Sequence, residues 1–162
     1  MSEAVKALLG KLAVLVPGYA GYAERERRRE TDQALRLSVA ARLGAVREEL
    51  EGRVVDALRS SDLERVEPLD ALARRVATLA DSVRHAPAGY AGLFDASSVS
   101  AAELDGLHGI DLAVREACEQ LATVVGSLPA PADAAALKRA EAALRDAEEA
   151  FRRRAAALHE VK

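Results

Sequence analysis

Between Glu24 and Arg59 the chain has no proline, and Leu35, Val39, Leu43, Val46, Leu50, Val54 and Leu58 recur three and four residues apart. Side chains at that spacing line one face of an α-helix, whereas a strand would place every second residue on a face. A helix over 24–59 is roughly 50 Å long at 1.5 Å per residue. Gly44 and Gly52 weaken it without breaking it. A rod with one apolar stripe draws its stability from packing that stripe on other helices rather than from propensity. The composition agrees. Ala, Leu and Val supply nearly all the apolar mass, while isoleucine occurs once, tryptophan never, and Phe and Tyr five times together. Sheets are filled by β-branched and aromatic residues, so this excludes an all-β fold and argues against α/β. With 50% hydrophobic and 30% charged residues, the chain can bury a core, which argues against intrinsic disorder.

Other stripes follow the same rule. Val5, Leu8, Leu9, Leu12 and Leu15 predict a short amphipathic helix over 3–16, ended by Pro17-Gly18. Ser60-Ser61-Asp62 reads as a turn, with Ser61 the expected N-cap of the next helix. Leu69, Leu72, Val76, Leu79 and Val83 predict a helix over 62–85, with Pro68 at a kink or in its first turn. Residues 86–99 are the longest irregular segment. Ser100-Ala-Ala-Glu103 is a capping-box pattern that opens a helix over 101–126, with Leu104, Leu107, Ile110, Val114, Cys118, Leu121 and Val125 as its stripe. In the last helix, over 132–160, Leu137, Leu144, Phe151 and Leu158 lie seven apart, with Ala140, Ala147 and Ala155 between them. Long helices with short connections predict an all-α fold: an antiparallel up-down four-helix bundle in one domain over 1–162, with the first helix packed on it. A long two- or three-stranded coiled coil is the alternative.

Charge and motif content narrow the chemistry. Twenty-three Lys and Arg against 26 acidic residues give a net charge of −3. A dedicated nucleic-acid binder is usually basic, so nucleic acid is not the expected partner, and anion binding would have to rest on a local cluster. Cys118 is the one cysteine, which suits a reducing, cytoplasmic location. The apolar run Leu12–Val16 is too short for a signal-peptide core, and no stretch approaches the ~20 apolar residues that span a bilayer. Asp105, His108 and Asp111 sit three apart, but di-iron bundles use Glu-x-x-His, which this chain lacks. No nucleophile elbow, P-loop or dinucleotide glycine pattern is present. The expectation is therefore a non-enzyme with no metal and no cofactor.

One end of the molecule is unusual. Gly-Tyr-Ala-Gly occurs at 18–21 and again at 89–92, each time after a proline-containing helix stop. In an up-down bundle both segments fall at the same end. That end would gather Tyr19, Tyr22, Tyr90 and Phe94, with Arg84, His85, His108, Arg152, Arg153, Arg154 and His159 nearby. Counting back from Leu35 in threes and fours reaches Asp32, Arg28 and Arg25, and counting back from Val114 and Cys118 reaches Asp111, flanked by His108. The apolar stripes thus turn charged as they approach the aromatic end. Charges on a core-facing line must be paired or wet. The expectation is a partly buried network in which Arg25, Arg28 or Arg29 meets Asp32, Asp95 or Asp111, completed by tyrosine hydroxyls. Such a network can fix the register of the helices, or it can form a pocket for an acidic or phosphate-bearing partner.

The segment Pro17-Gly-Tyr-Ala-Gly-Tyr-Ala-Glu-Arg-Glu-Arg-Arg-Arg-Glu-Thr-Asp32, with Gly89-Tyr-Ala-Gly-Leu-Phe-Asp95, resembles a group of small prokaryotic all-helical proteins of unassigned function. The resemblance covers about a quarter of the chain. It implies that the aromatic and arginine-rich end is the group's signature, and it transfers no activity.

The functional expectation is a protein–protein interaction or scaffold module that docks to an unidentified protein through the Tyr/Arg end or the Ala-rich face of the last helix. Tyr and Arg are frequent interface anchors. Self-association through helix faces is a further expected contact. The alternative is an anion-binding module for phosphate-bearing ligands (a nucleotide, nucleic acid or anionic lipid) through Arg25, Arg27, Arg28, Arg29 and Arg152 to Arg154. The amphipathic first helix adds peripheral membrane contact as a third.

Overall fold

The structure is a computed structural model that describes residues 3–19, 28–86 and 100–160; for Arg28, Ala101, Leu104, His159 and Glu160 it describes the backbone alone. Among the described residues every regular element is helical. The helices are α1 (Glu3–Leu15), α2 (Arg28–Arg59), α3 (Leu63–Arg84), α4 (Ala101–Gly126) and α5 (Ala134–Glu160). No helix among these residues is long and apolar enough to cross a membrane.

The stripes face one shared core. Leu35, Val39, Leu43, Val46 and Leu50 of α2 are buried, as are all five stripe residues of α3 and Val114, Cys118, Leu121 and Val125 of α4. Consecutive helices pack as pairs, α2 on α3 and α4 on α5. The pairs join because α2 also packs on α4 and α3 on α5, while α1 lies against α4. From α1, Val5 and Leu12 are buried, and Val16 just beyond its end is fully buried.

Local signals end the helices, with some corrections to the sequence reading. Ser61 does not cap α3. It ends α2: its φ is +59°, its N–H bonds the Leu58 carbonyl at 3.1 Å, and the Asp62 N–H reaches back to the Ala57 carbonyl at 2.9 Å. That is a Schellman C-cap with Ser in the left-handed position usually given to Gly. Asp62 takes the N-cap place of α3 without capping through its side chain; its carboxylate pairs with Arg65 instead. Pro68 lies inside α3, beyond its first turn. The capping box at α4 is complete: Glu103 N–H donates to Ser100 Oγ at 3.2 Å and Ser100 N–H to Glu103 Oε2 at 2.7 Å. Asp133 caps α5, accepting from the Ala136 N–H at 2.6 Å.

Some expected core positions are not buried. Leu58 is 50% exposed, and Ala57 is buried in its place. Leu58 lies two steps of four beyond Leu50, which at roughly 100° per residue turns it about 80° off the stripe, whereas Ala57, seven residues beyond Leu50, stays within about 20° of it. On α5 Phe151 and Ala155 are only half-buried, while Arg154 is buried.

Candidate functional site

The residues near the start of α2 build the site. Pro17 follows α1, and Gly18 turns the chain with φ +84°, a conformation that glycine adopts freely. The Tyr19 N–H bonds the Val16 carbonyl at 3.0 Å, closing the turn. The turn carries the Tyr19 ring inward, where it is 6% exposed. Its hydroxyl donates to Asp111 Oδ2 of α4 at 2.6 Å. Its ring meets His108 edge-on, with centroids 6.2 Å apart and planes at 64°.

Arg154 of α5 joins the two carboxylates. Its Nε donates to Asp111 Oδ1 at 2.7 Å and its Nη2 to Asp32 Oδ1 at 2.8 Å. Arg36, one turn beyond Asp32 on α2, donates from Nε to Asp32 Oδ2 at 2.9 Å and from Nη1 to the Arg84 carbonyl at the end of α3, at 3.1 Å. Each of the four carboxylate oxygens therefore accepts one hydrogen bond. Among the described residues two guanidiniums face two carboxylates. Asp32, Asp111 and Arg154 are each at most 2% exposed, and Arg36 is 8% exposed. The layer ties together the corner after α1, the start of α2, the end of α3, α4 and α5.

Electrostatics sort the other titratable groups nearby. Burial pulls the His108 pKa below the usual imidazole value, against the opposing pull of Asp111 and Asp105. Farther along α4, burial pushes the Cys118 thiol up to about 12, which makes it a poor nucleophile. Burial raises the Glu119 carboxyl, but hydrogen bonds from Arg42 and Arg115 together outweigh it and leave the pKa below the ordinary value. Among the described residues there is no group of three or more His, Cys, Asp or Glu placed to hold a metal.

Of the sequence candidates, Tyr19, Asp32, His108 and Asp111 come together in this layer. Arg29 and the side chain of Arg84 are exposed, so neither is a cation of the layer, and Arg84 contributes only its carbonyl. Tyr22, Arg25, Tyr90, Phe94 and Asp95 lie outside the described residues, as does the side chain of Arg28. The sequence reading placed Arg154 at this end without assigning it to the network, and it missed Arg36 altogether. Signals for both were present: Arg36 stands four after Asp32 and four before buried Ala40, and Arg154 stands seven after Ala147 and four before Leu158.

A second feature lies at the other ends of α2 and α3. A cleft of about 420 Å³ is walled by Ala57, Leu69 and Pro129 to Ala132, with Arg53 and Arg65 at its edge. Both arginines serve the walls. Arg53 donates to the Leu128 and Val125 carbonyls at 2.9 and 3.1 Å, and Arg65 donates to the Ala132 carbonyl at 2.6 Å. They clamp the α4–α5 connection onto the α2–α3 turn.

No protein-family model, curated protein or solved structure matches this chain.

Proposed function

We propose that this chain is a non-enzymatic helical interaction module of the cytoplasm. In this reading α2 to α5 form an antiparallel up-down bundle with α1 laid along α4, and the arginine-rich end of the bundle docks to a protein. The circuit of packing from α2 to α3, α5, α4 and back to α2 supports the bundle. The observation that carries the functional reading is the closure of the ion-pair layer. Among the described residues both guanidiniums are engaged by its carboxylates, and Arg36 also by the Arg84 carbonyl, so it serves as a register lock rather than as a receptor for anions. Near it, among the described residues, Arg29, Arg84, Arg152 and Arg153 are exposed, with Arg152 and Arg153 held by Glu149 at 2.7 and 2.9 Å. Arginines mixed with carboxylates suit a protein surface of like character, and they are residues that anchor interfaces.

Affinity capture with the purified full chain tests this. The bait is compared with a charge-reversed Arg29→Glu/Arg84→Glu/Arg153→Glu variant, with and without nuclease. A stoichiometric protein partner that survives nuclease and is lost from the variant supports the reading. Equal retention by both baits overturns the docking end. Loss on nuclease treatment, with a steep fall in added salt, replaces it with phosphate recognition.

A further inference from the structure

We propose that the cleft between the α2–α3 turn and the α4–α5 connection is a binding site for a small amphipathic carboxylate, its apolar chain in the cleft and its carboxylate on Arg65. The site lies at the other ends of α2 and α3 from the ion-pair layer and does not depend on the docking reading. Its volume of about 420 Å³ falls within the range of small-molecule pockets, roughly 300–1,000 Å³. Ala57, Leu69 and the run Pro129 to Ala132 make its walls apolar. Pro129 and Pro131 have no N–H to donate, and two carbonyls of the connection are already taken, Leu128 by Arg53 at 2.9 Å and Ala132 by Arg65 at 2.6 Å. The connection therefore has little hydrogen bonding left to offer, and what suits it is an apolar chain. The same two bonds hold the connection against the α2–α3 turn. The cleft is thus formed before anything enters it, which lowers the ordering cost of binding.

The polar rim sets the sign of the head group. Among the described residues, the partly buried charges of the lining are Arg53, Arg65 and Asp62, two cations and one anion. Asp56 also lines the cleft, but it is exposed and pairs with the exposed Arg59 at 3.7 Å. Glu49 pairs with Arg53 at 3.1 Å; it is exposed and stands outside the lining. Water screens exposed carboxylates, so they offset a partly buried guanidinium only in part. Hydrogen-bonding capacity points the same way. Arg65 donates from Nε to the Ala132 carbonyl and from Nη1 to Asp62, which leaves its Nη2 without an acceptor among the described residues. The Arg53 Nε–H is buried and also lacks one. Both rim arginines thus have a donor to spare. A carboxylate brings an acceptor and the opposite charge together, the partner that a guanidinium fork matches best. A cationic head group would instead meet two guanidiniums.

The test is an NMR titration of the full chain, with amide shifts read residue by residue, against three probes of one chain length: octanoate, octanol and octylamine. Octanoate should give saturable shifts at Ala57, Ser60, Leu69 and Ala132. It should bind at least about tenfold tighter than octanol, the gain expected of a hydrogen bond to a charged group. Octylamine should bind no better than octanol. Arg65→Gln should bring octanoate down to the affinity of octanol and leave octanol unchanged, whereas a merely structural role for Arg65 would weaken both probes together. Ala57→Leu, which enlarges a wall residue, should abolish binding of both. If Ala57→Leu does not fold, the comparison of octanoate with octanol in wild type and in Arg65→Gln decides. No saturable shift in millimolar octanoate, equal affinity for octanoate and octanol, shifts that map away from the cleft, equal loss of both probes in Arg65→Gln, or undiminished octanoate binding in a folded Ala57→Leu chain overturns the site.

Discussion

Replacing Arg154 by Met measures what the buried layer contributes. The Arg154 side chain is 3% exposed and its partners Asp32 and Asp111 are 3% and 1% exposed, so water cannot take its place cheaply. Met keeps much of the apolar stem and removes the fork. Among the described residues Asp111 then keeps the Tyr19 hydroxyl and Asp32 keeps Arg36, and the layer has lost one buried positive charge. Breaking a buried pair by removing one partner costs about 3–5 kcal/mol. At the 2–4 °C per kcal/mol typical of a chain this size, a loss of about 4 kcal/mol lowers Tm by roughly 8–16 °C. With an m-value of about 2 kcal/mol/M the urea midpoint falls by roughly 2 M. Arg154→Lys keeps the charge but cannot hold two carboxylates in one planar fork, so it should fall between wild type and Met. Asp111→Asn combined with Arg154→Met should cost less than the two single changes added, because the stranded carboxylate is gone. Urea unfolding followed by circular dichroism reads all four proteins. An Arg154→Met chain within about 1 kcal/mol of wild type would show that the layer carries no load and would refute the register-lock argument.

Three further outcomes follow from single sites. Gly18→Ala should destabilise by about 1–2 kcal/mol through its positive φ alone, since an added Cβ would meet Ala34 at an ordinary 3.6 Å; thermal melts check it, and Gly18→Asn should cost less. Cys118 should resist a thiol reagent at pH 8 in the native protein, its thiol being pushed up to about 12, and should react fully in urea; a native reaction as fast as the unfolded one would contradict its burial. The lowered Glu119 pKa contributes stability that is present above the unfolded value of 4.5 and is lost as the pH falls through the folded value, so Glu119→Gln should show a shallower loss of stability in acid titrations below pH 4.5.

The helices were legible because their signal is local. Spacings of three and four set the faces, Ser100 with Glu103 set the start of α4, and Pro17 with Gly18 set the end of α1. Ser61 was misread because a serine beside Asp62 fits an N-cap as well as a left-handed C-cap, and only the hydrogen bonds back to Ala57 and Leu58 separate the two. Leu58 was misplaced because two successive steps of four from Leu50 rotate it off the buried face, which Ala57 occupies instead.

The ion-pair layer divides along a similar line. That charge enters the core-facing stripes near Asp32 and Asp111 follows from periodicity, as does the helical fold class, while the tyrosine hydroxyl is reached only through the Gly-Tyr-Ala-Gly corner at 18–21 and the expected topology. Which cations answer those carboxylates does not follow from periodicity. Nineteen arginines are chemically equal in the chain, and a guanidinium on a flexible stem can reach any carboxylate within its radius. Only the packing of α5 against α4 and α3 brings Arg154 between Asp32 and Asp111, across 122 and 43 residues of sequence. Separations of that length are closed by the fold, because the free energy that holds them comes from burying whole helix faces and not from the residues that meet.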